Sequence, residues 1–201
     1  MVIDTSKIWS PGDSLNLYFM NGTVYQKHTL LQAVDEWTTD LDISFHVSQN
    51  PSSEIRVTFE GRLFASVGKD ALNVEQNLPT LQITDLGKPE NLAMFARHEF
   101  GHVLGCVHEH QSPNFPYNIN EAYVLEKYTN FPIGWSEALV KYNFFRLSGA
   151  HIRASEFDPD SVMLYELREE EILEGVSFSY NQKISPIDQE FVHQFYSPTT
   201  I

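Results

Sequence analysis

The sequence predicts an α+β fold in two lobes, and three observations carry the prediction. Up to about residue 104, strand-like segments alternate with segments of helical period. A helix near 90–104 carries a cluster of metal-ligand residue types and stops at Gly105. Beyond it come proline-broken loops and short helices. The 201 residues suffice for one domain, 1–201, built as a first lobe of about 1–104 and a second of about 105–201.

Composition narrows the function classes. A hydrophobic share of 42% is that of an ordinary globular chain, and no apolar run reaches the roughly 20 residues of a membrane helix. The formal net charge of −14, with only 13 Lys and Arg, leaves no basic face for phosphate and speaks against nucleic acid. An acidic surface keeps a protein soluble and is compatible with cationic substrates.

The elements follow in order. Residues 1–7 lack a basic start followed by an apolar core, so they are no secretory signal. The expected location is outside the producing cell, by another route or after loss of a leader or pro-segment, with the cytoplasm as the alternative. Residues 15–19 form a strand, and Asn21-Gly22 a turn. Leu30, Leu31, Val34, Trp37 and Leu41 recur at helical spacing, which predicts an amphipathic helix over 23–41. Residues 43–47 and 55–59 alternate apolar and polar side chains as half-buried strands, in which His46 is a surface residue without a role. Residues 61–77 read as a loop and 78–84 as a strand.

The site helix starts at Pro89 or Glu90, since proline suits a first turn. Leu92, Phe95, Ala96, Phe100, Val103 and Leu104 flank its ligand face, so it is buried on most sides and holds its histidines rigidly. After Gly105, residues 111–116 are a loop, 120–128 and 136–145 helices, and 147–157 a loop. The acidic run 166–174 is a solvated face, with a cation site as the alternative. Ser185 caps a closing helix through Pro186, Asp188, Phe191, Val192 and Phe195.

The chemistry is concentrated between His98 and His108. His98 and His102 stand four apart, one turn from each other on one helix face, and can grip one metal ion from the same side. Glu99 sits where a carboxylate can act as general base on the metal's water without being a ligand. Gly105 ends the helix in a sharp turn that carries His108 back as third ligand. Three neutral imidazoles leave a fourth position of Zn²⁺ open, as one catalytic ion requires. HExxH alone can arise by chance or sit on a core helix; the added Gly, the third His and the downstream turn Ser161-Val162-Met163-Leu164-Tyr165 make the metzincin signature.

The run from His98 to Glu109 and the Ser161–Tyr165 turn resemble the astacin family of zinc endopeptidases. Gly134-Trp135-Ser136, Phe157-Asp158-Pro159 and Ile184-Ser185-Pro186-Ile187-Asp188 extend the resemblance to compact microbial members. It implies a metzincin-type zincin: a first lobe of twisted mixed sheet with two helices, a mostly irregular and helical second lobe, and the active-site cleft between them. It further implies His98, His102 and His108 as zinc ligands and Glu99 as base and acid. Tyr165 is the implied extra ligand, which swings away to stabilise the oxyanion, and Met163 the apolar floor. A polypeptide substrate is implied, bound along an edge strand within about 63–71 together with 81–84, and a monomer is expected. In secreted astacins the residue after the third His receives the N-terminus freed by cleavage of a pro-segment. With a methionine at the start here, Glu109 is expected to pair within the second lobe instead.

Two departures keep other classes open. The lone Cys106 excludes an intramolecular disulfide and suits a reducing compartment or a bridge-free exported protein. It is expected as a small buried residue rather than a competing ligand. A protein that binds zinc and a polypeptide without cleaving it, and a toxin or effector with little general proteolysis, are the alternatives; a carboxylate at Glu99 argues against purely structural zinc.

Overall fold

The computed structural model describes residues 1–198; residues 199–201 of the predicted domain lie outside the described part. The first lobe is organised by a five-stranded sheet. In chain order its strands are β2 (Ser14–Phe19), β3 (Ser44–Ser48), β4 (Ile55–Thr58), β5 (Phe64–Ala65) and β6 (Leu81–Gln82), in the spatial order β3-β2-β4-β6-β5. All neighbours run parallel except β5, the antiparallel edge strand, which pairs Phe64 with Gln82 and Ala65 with Leu81.

Helix α1 (Val24–Thr38) starts where Thr23 and Gln26 close a reciprocal capping box. It buries Leu30, Ala33, Val34 and Trp37, as its period predicts. It ends before the expected residue 41, because the Thr38 and Thr39 hydroxyls bond back to the Val34 and Asp35 carbonyls and Asp40 turns the chain at φ 64.

Strand β4 corrects the expectation of a half-buried strand, since all four of its residues are buried. Ile55 and Val57 enter the main core; Arg56 lies under the segment that follows β4. Its guanidinium donates to the carbonyls of Leu78 (2.8 Å), Ser53 (3.0 Å), Val74 (3.1 Å) and Glu75 (3.2 Å). Residues 61–77 are therefore not a plain loop: they contain β5 and a 3₁₀ turn, Gly68–Asn73, with the stretch behind them strapped by Arg56. The strand expected at 78–84 contracts to β6.

Helix α2 (Leu92–Val103) crosses this core beside α1. The second lobe holds α3 (Glu121–Thr129) and α4 (Glu137–Phe144), capped by the Asn120 and Ser136 side chains, around Phe115, Val124, Val140, Phe144, Leu167 and Ile172. The acidic side chains of the run 166–174 are exposed apart from Glu171, which is buried and accepts from Lys127 Nζ (2.8 Å), the Tyr128 hydroxyl (2.8 Å) and Arg168 N (2.7 Å), while Leu167 and Ile172 of the same run point into the core.

A second sheet has no counterpart in the sequence expectations. Its strands β1 (Val2–Asp4), β7 (Cys106–Val107) and β8 (Ile152–Ala154) run in the order β7-β1-β8, both pairings antiparallel. Finally α5 (Pro186–Tyr196), opened by a Ser185–Asp188 capping box, sends Phe191, Val192 and Tyr196 into the core shared with α1 and α2. The Tyr196 hydroxyl donates to Leu104 O at 2.7 Å. Both ends of the described chain thus cross between the lobes, and the end of α2 is gripped by the last helix. Among the described residues no helix is long and apolar enough to cross a membrane.

Candidate metal centre

Helix α2 presents His98, Glu99 and His102 from a buried frame that includes Phe95, Ala96, Phe100 and Val103. Gly101 lets the neighbours close in: a Cβ there would lie 2.4 Å from Met163 Sδ and 3.2 Å from Trp37 Cζ2. At Gly105 φ is +93°, which turns the chain out of the helix into β7 and on to His108.

Each histidine spends one ring nitrogen on a backbone carbonyl. His98 Nδ1 donates to Val162 O (2.8 Å), His102 Nδ1 to Cys106 O (2.8 Å) and His108 Nδ1 to Asn143 O (3.3 Å). That fixes the tautomer and leaves Nε2 of each ring as a lone-pair donor. Ligand nitrogens of the three rings lie within 4.8 Å of one another. All three side chains are buried, and desolvation pulls their pKa values down, to about 4 for His98 and about 3 for His102, and well below the ordinary value for His108. A trio of converging imidazoles kept neutral is a donor set that suits Zn²⁺.

Glu99 is buried beside these rings, and desolvation pushes its carboxyl up to about 8. The Tyr165 ring lies 4.9 Å from that of His108. Burial, and then the nearby charge of Glu99, push its phenol up to about 12. Met163 is fully buried against Gly101, and its carbonyl accepts from Glu109 N at 2.9 Å, which ties its turn to the segment that follows His108.

The expectation for Glu109 is overturned. The Met1 ammonium lies 2.5 Å from Glu109 Oε2, with both groups fully buried, and also donates to Ser155 Oγ at 2.6 Å. The cause is β1: pairing Val2 with Val107 delivers residue 1 to the residue that follows His108. Glu109 has a second-lobe partner as well, accepting from Asp158 N at 2.9 Å. Cys106 is buried within β7.

Two residues near the centre were given no role in the sequence. Tyr180 stacks edge-on against Tyr165 at 5.9 Å and Phe95 at 5.6 Å. It is held there because Asn181 Nδ2 donates to the Pro159 and Ser161 carbonyls, and Arg97, beside His98, donates to Gln182 O. It lies in a stretch without periodicity, and no local signal marks it. His110, whose ring lies 5.4 Å from His108 and nearly parallel to it, did carry a signal, as an imidazole two residues beyond the third converging histidine.

Comparison with known proteins gives the same picture. The peptidase family Astacin matches residues 1–194. A structure of myroilysin superposes with a TM-score of 0.87 at 26% identity, covering 100% of both chains. A second crystal structure of myroilysin gives 0.68 at 25% identity, over 95% of this chain and 86% of that one. High choriolytic enzyme 1, a hatching enzyme zinc-protease from the medaka fish Oryzias latipes, shares the fold, with a TM-score of 0.63 at 16% identity over 94% of each chain. No curated protein sequence matches.

Proposed function

The chain belongs to the astacin family of peptidases and is a zinc metalloendopeptidase; from that premise we propose that it cleaves polypeptides with one Zn²⁺ held by His98, His102 and His108 and with Glu99 as general base. The observation that carries the reading is the convergence of three buried, neutral imidazoles with a carboxylate one residue from the first. Zinc, when bound, supplies Lewis acidity that makes water nucleophilic near neutral pH and polarises the scissile carbonyl.

The protein groups do the rest. Glu99 takes a proton from the attacking water and delivers it to the leaving amine nitrogen, and burial, by raising its proton affinity, makes it the stronger base. Tyr165 would be an additional ligand to bound zinc and would serve as donor to the oxyanion; a phenol held at about 12 keeps the proton it must donate. Met163 closes the floor under the histidines. The substrate backbone adds to the edge strand β5, which ends the sheet and pairs with β6 on its inner side, and the enzyme acts as a monomer.

Glu99→Gln tests the assignment when peptide cleavage and zinc content are measured together. Cleavage is expected to fall by about 10²–10⁴-fold with zinc retained. Loss of zinc in step with activity would instead give Glu99 a structural part.

A further inference from the structure

Helix α4 ends with carbonyls that have no partner within the helix, and the turn carrying the third histidine supplies the missing donors. The 3₁₀ turn Glu109–Gln111 begins directly after His108. Gln111 Nε2 donates to Tyr142 O at 2.7 Å and to Phe145 O at 3.2 Å. His110 Nε2 donates to Asn143 O at 2.9 Å, and this carbonyl also receives His108 Nδ1 at the longer distance of 3.3 Å. A carbonyl has two lone pairs, so both bonds form, and the shorter one fixes where the peptide sits.

His110 is oddly furnished for a packing residue. It is 1% exposed, between the rings of His108, Phe144 and Tyr165, yet its Nδ1 has no hydrogen-bond partner among the described residues. An unpaired nitrogen at that depth destabilises the fold, and a phenyl ring would avoid the loss. What a phenyl ring cannot supply is the Nε2–H bond to Asn143. The other two ligands do not need such help: the carbonyls that orient His98 and His102 belong to the buried residues Val162 and Cys106. Only Val140 and Phe144 of α4 are buried.

We propose that His110 is a positioning residue for the metal centre: by pinning the Asn143 carbonyl it sets the ring orientation of His108 and so the affinity and coordination geometry of the zinc ion. This rests on the three-histidine assignment above.

The test compares His110→Phe, which keeps a ring and loses the donor, with His110→Gln, whose amide can donate to the same carbonyl. The readouts are Zn²⁺ affinity by chelator competition, the visible spectrum of the Co²⁺-loaded protein, and peptide cleavage. His110→Phe is expected to weaken zinc binding roughly tenfold and to shift the cobalt bands, with His110→Gln restoring both. If His110→Phe does not fold, His110→Met removes the same donor and is read in the same way. Donor-free variants that match the parent in affinity and spectrum overturn the inference, and so does a glutamine variant no better than phenylalanine. In both cases the parent still binds zinc and cleaves peptide, so the function stands; a parent that takes up no zinc overturns the function and the inference together.

Discussion

Helices α2 and α4 both reach the metal centre, from opposite circumstances. Ten of the 12 residues of α2 are buried, and it carries two of the three converging histidines and Glu99 from inside a core. Only two of the eight residues of α4 are buried, and it supplies a single carbonyl to His108 from the rim of the second lobe. The first arrangement is rigid because displacing any side chain opens a cavity or a clash. The second is held by a few polar bonds at a helix end. Precision at this centre thus comes from packing on one side and from hydrogen bonding on the other, and the two fail differently.

The largest effect expected from breaking the packed side is at a ligand itself. His102→Ala should leave protein that retains no zinc after dialysis and no cleavage, read by metal analysis and peptide assay. Next is the donor between the two sides: Tyr165→Phe should lower kcat by about 10²–10³-fold with KM close to that of the parent. Gly101→Ala attacks the frame, since its new methyl must displace Met163; a loss of about 1–3 kcal/mol in denaturant unfolding is expected, together with weaker zinc binding. Retention of full stability would mean that the contact between α2 and the Met163 turn is slack.

Removing the metal sharpens the comparison through pH. His98, His102, His108 and His110 are all held below the ordinary 6.5 by desolvation, so the unfolded chain takes up protons first as the pH drops. The stability these neutral rings contribute is complete above about 6.5 and is lost progressively as the pH falls, through about 4 for His98 and His110 and through about 3 for His102. Chelated protein should therefore melt at progressively lower temperature over that interval; a flat profile would mean that the rings are solvated without metal. The smallest effect belongs to α4: Ser136→Ala, which removes its cap, should cost about 1 kcal/mol and slightly weaken zinc binding, leaving α2 untouched.

The same contrast explains what was legible in the sequence. The shared face of His98 and His102 follows from helical period, Glu99 from its place in the HExxH pattern, and Gly105 from the turn that must end the helix; the cap Ser185 is an equally local signal. The Met1–Glu109 pair, by contrast, depends on β1 meeting β7, strands of two or three residues that are too short for any alternation to register. Glu171 looked solvated within an acidic run because its partners Lys127 and Tyr128 lie on another helix. Arg56 sat in an apparent half-exposed strand, since nothing local says that a later loop folds over it. Contacts made at long sequence separation, with one polar atom on each side, leave no periodic trace.

Arg56 has one more consequence. A peptidase at high concentration is surrounded by copies of its own cleft, and the segments it can digest are those whose backbone can be drawn out straight. The carbonyls of Val74, Glu75 and Leu78 are engaged by a buried guanidinium, so to thread this stretch into a neighbour's cleft would first require that charge to be stripped of its partners inside the protein. Arg56→Ala is therefore expected to shorten the storage life of the concentrated protein through nicking between residues 60 and 80, read by gel analysis over time.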